Sequence, residues 1–339
     1  MQTWRRVRDI LTSRWLIKGA FFAYFVFACV QLMRFAAWTR GTGPYVGRPE
    51  VVAGLLPVGH FTSFFAWVRG GGWDTLLPAG LVIIVGALTI SLLFKRGFCG
   101  FICPVGTLWE GFSALGHRLT RGRQVRVPKW LDIAGRAFRY LLTAVVVVML
   151  LFVVSVPEAV EFRSLPYMWV ADIKILSIML TPVYLLVVLF AGVLSMAFGP
   201  VWCRYLCPVG GMYSAVAELS PCKVRRAEEN CIHCHKCTRV CHAFIDVEED
   251  AVVRDTECDG CMDCVKVCPA DDCLEAKGPG GLTIAPWAWP LLVAGLWLAI
   301  FGVAKVTGNW DTRVTPAQMR AAVQSGVIDR ASLPDRTQE

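Results

Sequence analysis

Residues 98–106 read FCGFICPVG and residues 202–210 read WCRYLCPVG. The second copy follows the first at an offset of 104 residues, and each comes directly after an apolar run, Leu77–Phe94 and Leu180–Phe198. Two further apolar runs, Leu16–Ala37 and Phe138–Val156, stand ahead of these. A helix needs roughly 20 apolar residues to cross a bilayer, so the pattern predicts two hairpin units of two spans each. Both cysteine segments then lie at the cytoplasmic ends of equivalent helices, related by a pseudo-two-fold axis along the membrane normal. A fifth span is predicted over residues 284–306. Pro286, Trp287 and Trp289 suit an interfacial start, and Pro290 interrupts the run.

Composition points the same way. Hydrophobic residues make up 55% of the 339-residue chain, charged residues 18%, and mean hydropathy is +0.52. A core of this size cannot hide that much apolar surface, so part of it faces lipid. The net charge of +8 comes from basic residues placed beside apolar runs, with no basic stripe interleaved with aromatics, which excludes a nucleic-acid partner.

Charge also sets sidedness. Arg5, Arg6, Arg8, Arg14 and Lys18 start the first run, which Arg34, Phe35 and Trp38 follow in place of a cleavage site; it reads as a retained helix with its N-terminus inside. Lys95, Arg96, Arg118, Arg121, Arg123, Arg126, Lys129 and Arg136 put the loop after the second span in the cytoplasm. The short loop between spans three and four carries Glu158, Glu161 and Asp172 against Arg163 and Lys174 and lies outside. The loop Thr39–Leu76 is also outside, and within it Val51–Val68, broken by Pro57, Gly59 and His60, reads as a re-entrant or interfacial segment. The expected fold is mainly α: a membrane domain over residues 1–199, a cytoplasmic two-cluster ferredoxin-like α+β module over 200–283, the fifth span, and a periplasmic tail over 307–339.

Eight of the 15 cysteines form two runs, Cys231, Cys234, Cys237, Cys241 and Cys258, Cys261, Cys264, Cys268 followed by Pro269. Three thiolates at spacing three wrap three irons of a cubane cluster, and in two-cluster ferredoxins the fourth cysteine of each run serves the other cluster. One [4Fe-4S] cluster is therefore expected on Cys231, Cys234, Cys237 and Cys268, the other on Cys258, Cys261, Cys264 and Cys241. Zinc knuckles use two close pairs, not this spacing. His242 stands where the first run would usually have proline, and His233 and His235 read as surface residues.

Cys99 with Cys103 and Cys203 with Cys207 form matched C-x3-C-P pairs. On a helix that spacing puts both sulfurs of a pair on one face, and the proline then breaks the ladder. If the repeat brings the pairs together, four thiols converge to bind a third metal centre or to cycle between dithiol and disulfide; structural cysteines at a helix end are the alternative. Cys29 reads as an apolar filler, and Cys222 and Cys273 have no evident partner. The spans hold no histidine pair for haem, and no GxGxxG or P-loop is present. His60, near the outer face, is a candidate proton acceptor for a quinol.

Four spans, two C-x3-C-P segments each after a span, and a double cluster run resemble the membrane polyferredoxins of the NapH/NosR/MauN type over about residues 15–280. The stretch Arg48-Pro49-Glu50 to Leu56-Pro57 and the segment FCGFICPVG carry the same likeness. The resemblance implies a bacterial inner-membrane subunit, a quinol dehydrogenase component or electron relay. It would link the quinone pool or a cytoplasmic donor to a periplasmic cytochrome, ferredoxin-type or reductase partner. Two features depart from the pattern: no large flavin-binding domain precedes the spans, and the fifth span with its tail is additional, a candidate docking element. A second likeness, to CcoG-type copper reductases that share the C-x3-C-P motif, implies an assembly factor with a soft metal at the paired thiols.

Overall fold

The computed structural model describes residues 14–120 and 125–327; Arg5, Arg6, Arg8, Arg121, Arg123 and the tail beyond residue 327 lie outside the described residues. The chain divides into two compact units. The first comprises Met1–Ala23, Gly86–Val147 and Leu186–Ile300, the second Tyr24–Val85, Val148–Leu185 and Phe301–Glu339. The segments that charge assigns to the cytoplasm belong to the first, and those assigned outside belong to the second.

Among the described residues, three helices are long and apolar enough to cross a membrane: Arg14–Thr39, Lys129–Val153 and Ala288–Val306. Pro166–Met179 and Pro182–Phe198 are together apolar enough for a further crossing but bend by 68° at their junction, the form of a broken span or a re-entrant loop. The predicted second span is shorter than expected. Its helix covers Pro78–Leu93, 16 residues, or about 24 Å at the helical rise, against a hydrocarbon core of about 30 Å. Asp74 ends the preceding loop by accepting from the amides of Leu76 and Leu77, and Lys95, at φ 58°, stops the helix. Pro290 does not interrupt the fifth span. It lies in the first turn of the Ala288–Val306 helix, where a missing N–H costs nothing, whereas Ile284 belongs to a strand.

In the first unit the repeat is visible as repeated local structure. A short helix Gly97–Phe101 leads to the helix Pro104–Leu119, and a π turn Trp202–Leu206 leads to the helix Pro208–Glu218. The copies touch where Gly116 meets Met196: a Cβ at Gly116 would stand 2.0 Å from the Met196 carbonyl oxygen. Trp109 stacks on Trp202 with centroids 6.1 Å apart. The fifth helix is part of this packing, since Trp289 lies edge-on to Phe94 and Trp297 to Phe98.

The cysteine-rich module joins three antiparallel strands, β1 (Lys223–Arg226), β2 (Leu274–Lys277) and β3 (Thr283–Ile284), in that order. Lys223 pairs with Lys277 and Ala276 with Ile284. Two five-residue helices, Lys236–Val240 and Asp263–Val267, follow His235 and Met262, both in the left-handed region.

In the second unit the loops expected outside are largely helical. Residues 51–68 become a 3-10 turn Glu50–Leu55 and a helix Pro57–Val68 opened by Pro57. The loop predicted between spans three and four is instead the helices Val156–Ser164 and Pro166–Met179. Asp172 is buried there and pairs with Arg48, which also binds Glu50. The tail folds back on its own chain. Val314, Met319, Ala322 and Val323 join Leu32, Phe35, Val170 and Ile173 in one core, and Thr315 with Gln318 caps the helix Pro316–Gln324. Four side chains of the segment 314–324 are therefore buried against the chain itself.

Candidate redox site

The two cysteine runs of the module adopt one local design. In each, the third cysteine, Cys237 or Cys264, lies on the short helix, and the fourth, Cys241 or Cys268, is extended at its end. Cys241 lies within electrostatic reach of Cys258 and Cys264, and Cys273 touches both Cys268 and Cys231. A cavity is lined by Cys241, Cys258, Cys261 and Cys264 together with Ile245 and Val253. Four thiols facing one space with an apolar surround are the donor set and setting of an iron–sulfur cluster. Burial pushes the Cys258 thiol up to about 11 and Cys241 up to about 12; iron bound to a thiolate takes the place of that proton. Backbone amides of Gly260, Ala243 and Ile245 point at these sulfurs, the kind of hydrogen bond that tunes a cluster's potential.

The C-x3-C-P pairs converge as well, though not on one regular helix. Cys99 lies on the short helix and Cys203 on the π turn, while Cys103 and Cys207 are the N-caps of the next helices. Proline is at the first position of each helix, so it starts an element where the sequence pattern suggested an end. The Gly106 amide donates to Cys103 Sγ at 3.5 Å and the Gly210 amide to Cys207 Sγ at 3.3 Å. Every pair among the four thiols is close enough to interact electrostatically. Burial, and then the neighbouring thiols, raise the Cys203 thiol well above its ordinary value, and burial first raises Cys103 to about 12.

Charges that looked like topology signals are buried here. Arg96 hydrogen-bonds Cys99 and pairs with Glu257 at 2.7 Å. Arg139, fully buried at the start of the third predicted span, also binds Glu257 and donates to the Cys203 carbonyl at 3.0 Å. Burial works against ionised Glu257, yet the two guanidiniums hold it below the usual carboxylate range. The Arg96 amide donates to the Cys258 carbonyl at 3.4 Å, joining the first C-x3-C-P segment to the second cysteine run. His242 pairs with Asp259 at 3.1 Å, and Asp259 also faces Arg14. A second cavity, lined by Cys99, Cys203, Arg96, Glu257, His242 and Asp259 among others, lies between these groups.

The remaining candidates divide. His233 and His235 are exposed as expected, but both rings hold Glu248, at 3.0 and 2.7 Å. Cys29 packs against the second unit's core, and Cys222 is buried. His60 is buried; one ring nitrogen bonds the Ala53 carbonyl, and Nε2 has no hydrogen-bond partner among the described residues. Gly80 makes room for the ring, since a Cβ there would stand 2.0 Å from Nδ1.

Known proteins resemble this chain in sequence. A 4Fe-4S binding domain family matches residues 76–122 and again 180–226, one match per copy of the repeat, and a 4Fe-4S dicluster domain family matches 223–269. YccM of Escherichia coli, named for electron transport, is 33% identical over 321 residues, covering 92% of this chain and 87% of that protein. The chain belongs to the NapH/NosR/MauN-type polyferredoxins. As such it is an iron–sulfur electron-transfer protein of the membrane with 4Fe-4S clusters and redox partner proteins. The ferredoxin-type protein NapH of Escherichia coli is 24% identical over 213 residues, 58% of this polyferredoxin and 68% of its own length. The regulatory protein NosR of Pseudomonas aeruginosa is 30% identical over 217 residues, 62% of this chain but 29% of its own. No solved structure matches.

Sequence reasoning missed Arg139, Glu257, Asp259 and Arg14 as parts of the site. An arginine at the head of an apolar run was the available signal for Arg139, and the histidine in the proline's place was the signal for the Asp259 contact.

Proposed function

We propose that this polyferredoxin relays electrons between the quinol pool or a cytoplasmic donor and a periplasmic redox partner, through two clusters in the module. One is held by Cys231, Cys234, Cys237 and Cys268, the other by Cys258, Cys261, Cys264 and Cys241. The nearness of Cys241 to Cys258 and Cys264, the cavity these thiols line with Cys261, and the contact of Cys273 with both Cys268 and Cys231 support this reading. The clusters supply one-electron steps. The protein holds them against the membrane domain through Arg96, Arg139 and Glu257 and keeps one of them in an apolar enclosure. On the quinol side, the buried lone pair of His60 Nε2 supports a role as acceptor for a quinol hydroxyl proton. The N-terminus and module would face the cytoplasm and the C-terminal tail the periplasm, as the positive-inside pattern favours.

The test is a pair of exchanges read by low-temperature EPR of the reduced protein. Cys241→Ser should alter the cluster of the second run and leave the first intact, and Cys268→Ser should do the reverse. Each change confined to the cysteine's own run would contradict the ligand assignment.

The convergence of Cys99, Cys103, Cys203 and Cys207 favours a second reading, a CcoG-like copper reductase or assembly factor. Copper bound in the purified protein, with clusters that a quinol does not reduce, would support that reading over the relay.

A further inference from the structure

We propose that Cys273, which lies outside both cysteine runs, is a positioning residue for the cluster of Cys231, Cys234, Cys237 and Cys268. Its thiol donates a hydrogen bond shared between the sulfurs of Cys231 and Cys268 and so raises that cluster's potential. The inference rests on the relay reading's assignment of those four ligands, and it concerns a residue beyond the dicluster match over 223–269. The sheet puts Cys273 in place. Strands β1 and β2 pair as far as Arg226 with Leu274, and the ladder runs one step further, where the Ala227 amide donates to the Cys273 carbonyl at 2.8 Å. Asn230 ties the same two segments through the Asp272 carbonyl at 3.4 Å. Cys273 is thus held between the chain that enters the first run and the chain that leaves the second. It is 3% exposed, and its sulfur is within hydrogen-bond reach of both Cys231 and Cys268. The Ala227 carbonyl oxygen, 3.8 Å away, is also in reach.

Chemistry decides what the thiol does there. Four thiolates complete a cubane cluster, so no fifth ligand is called for. A further negative sulfur beside two that are already ionised is disfavoured in a buried place. Cys273 therefore keeps its S–H, a weak donor. Ionised sulfurs draw that hydrogen more strongly than a neutral carbonyl does, because charge-assisted hydrogen bonds are roughly twice as strong. A donor to a ligand sulfur favours the reduced, more negative state of the cluster. The first run meets a different residue at the corresponding position: five residues after Cys241 stands Asp246, which pairs with Arg126 at 2.6 Å. The donor thus acts on one cluster of the two, and clusters alike in ligand spacing are set apart in potential.

The experiment compares the full chain with Cys273→Ala and Cys273→Ser, all purified anaerobically in detergent. Iron is counted per chain, and a redox titration is followed by EPR, the first cluster being the signal that Cys268→Ser alters. At a poise fixed at the wild-type midpoint, Cys273→Ala should lower the ratio of reduced to oxidised first cluster about two- to tenfold, the range of a single hydrogen bond. The second cluster and the iron count should not change. Cys273→Ser, which retains a donor, should shift the ratio less. Unmoved potentials, equal shifts in the two variants, or a shift confined to the second cluster would overturn the proposal. If Cys273→Ala lacks the first cluster, Cys273→Val, which fills the space without a donor, takes its place and is read by the same outcomes. Loss of that cluster from both would overturn the proposal in favour of a purely structural role. The ligand assignment is read separately, from Cys241→Ser and Cys268→Ser, so its failure is distinguishable from a failure of Cys273 to act.

Discussion

The two copies of the C-x3-C-P segment end alike and begin differently. Both finish with a cysteine N-cap, a proline at the first helical position and a glycine amide on the sulfur. Between the cysteines, however, Gly100 of the first copy stands where the second has Arg204. A Cβ at Gly100 would meet the Asp259 carbonyl oxygen at 2.9 Å, so the first copy lies flat against the second cysteine run. Arg204 instead reaches out, gripping Asp132 at 2.7 and 3.0 Å and donating to the Ala243 carbonyl beside Cys241. Each copy of the membrane repeat thus holds a different run of the module. What the duplication preserves is the position of the thiols and the start of the helix after them; the residues between are free to build different contacts.

Glu257 ties the copies together, and removing its charge should have the largest effect. Glu257→Gln leaves Arg96 and Arg139 buried without their carboxylate, at a cost of about 3–5 kcal/mol. Thermal denaturation in detergent, followed by loss of cluster absorbance, should show a greatly lowered midpoint or no assembled protein; an unchanged midpoint would mean the network does not join the copies.

The glycines of the two caps offer a sharper contrast. A Cβ at Gly106 would stand 2.5 Å from the Cys99 carbonyl oxygen, whereas at Gly210 its nearest neighbours are 3.4 and 3.5 Å away. Gly106→Ala should cost about 1–3 kcal/mol and Gly210→Ala well under that, as read from the same midpoints. Equal losses would remove this asymmetry between the copies.

Gly100→Ala should cost about 1–2 kcal/mol by crowding the Asp259 backbone. Trypsin cleavage of the module, compared before and after the change, checks whether its docking has loosened. Arg204→Lys should have a small effect, about 1 kcal/mol, since a lysine keeps the charge but not the two-pronged grip on Asp132. If it proved the most damaging of the set, the second copy and not Glu257 would be the main anchor.

Much of this was legible in the sequence for a definite reason. The spacing of Cys231 to Cys241 and of Cys258 to Cys268 marks a 4Fe-4S dicluster domain without knowledge of the fold, and that family matches 223–269. The repeat survives for the same reason, since the identity of FCGFICPVG and WCRYLCPVG does not depend on packing. Charges were less legible. Lys95 and Arg96 counted as cytoplasmic loop charges, yet both are buried and partnered, because sidedness and ion pairing use the same residues and only contacts tell them apart. Asp172, counted as a charge of the outer loop, is likewise buried on a helix and paired with Arg48. Length misled at Leu77–Phe94, where apolar residues continue but Lys95 turns the backbone. The tail carried no strong pattern, and its helix is specified by the cap at Thr315 and by the partners it packs on.

The most direct test of the relay is an anaerobic titration of the purified full-length protein with a quinol analogue, monitoring cluster absorbance and EPR. The account predicts that quinol reduces the clusters and that His60→Ala slows this reduction while leaving dithionite reduction intact. Clusters that dithionite reduces but quinol does not touch would contradict quinol as the donor and turn the search towards a cytoplasmic one.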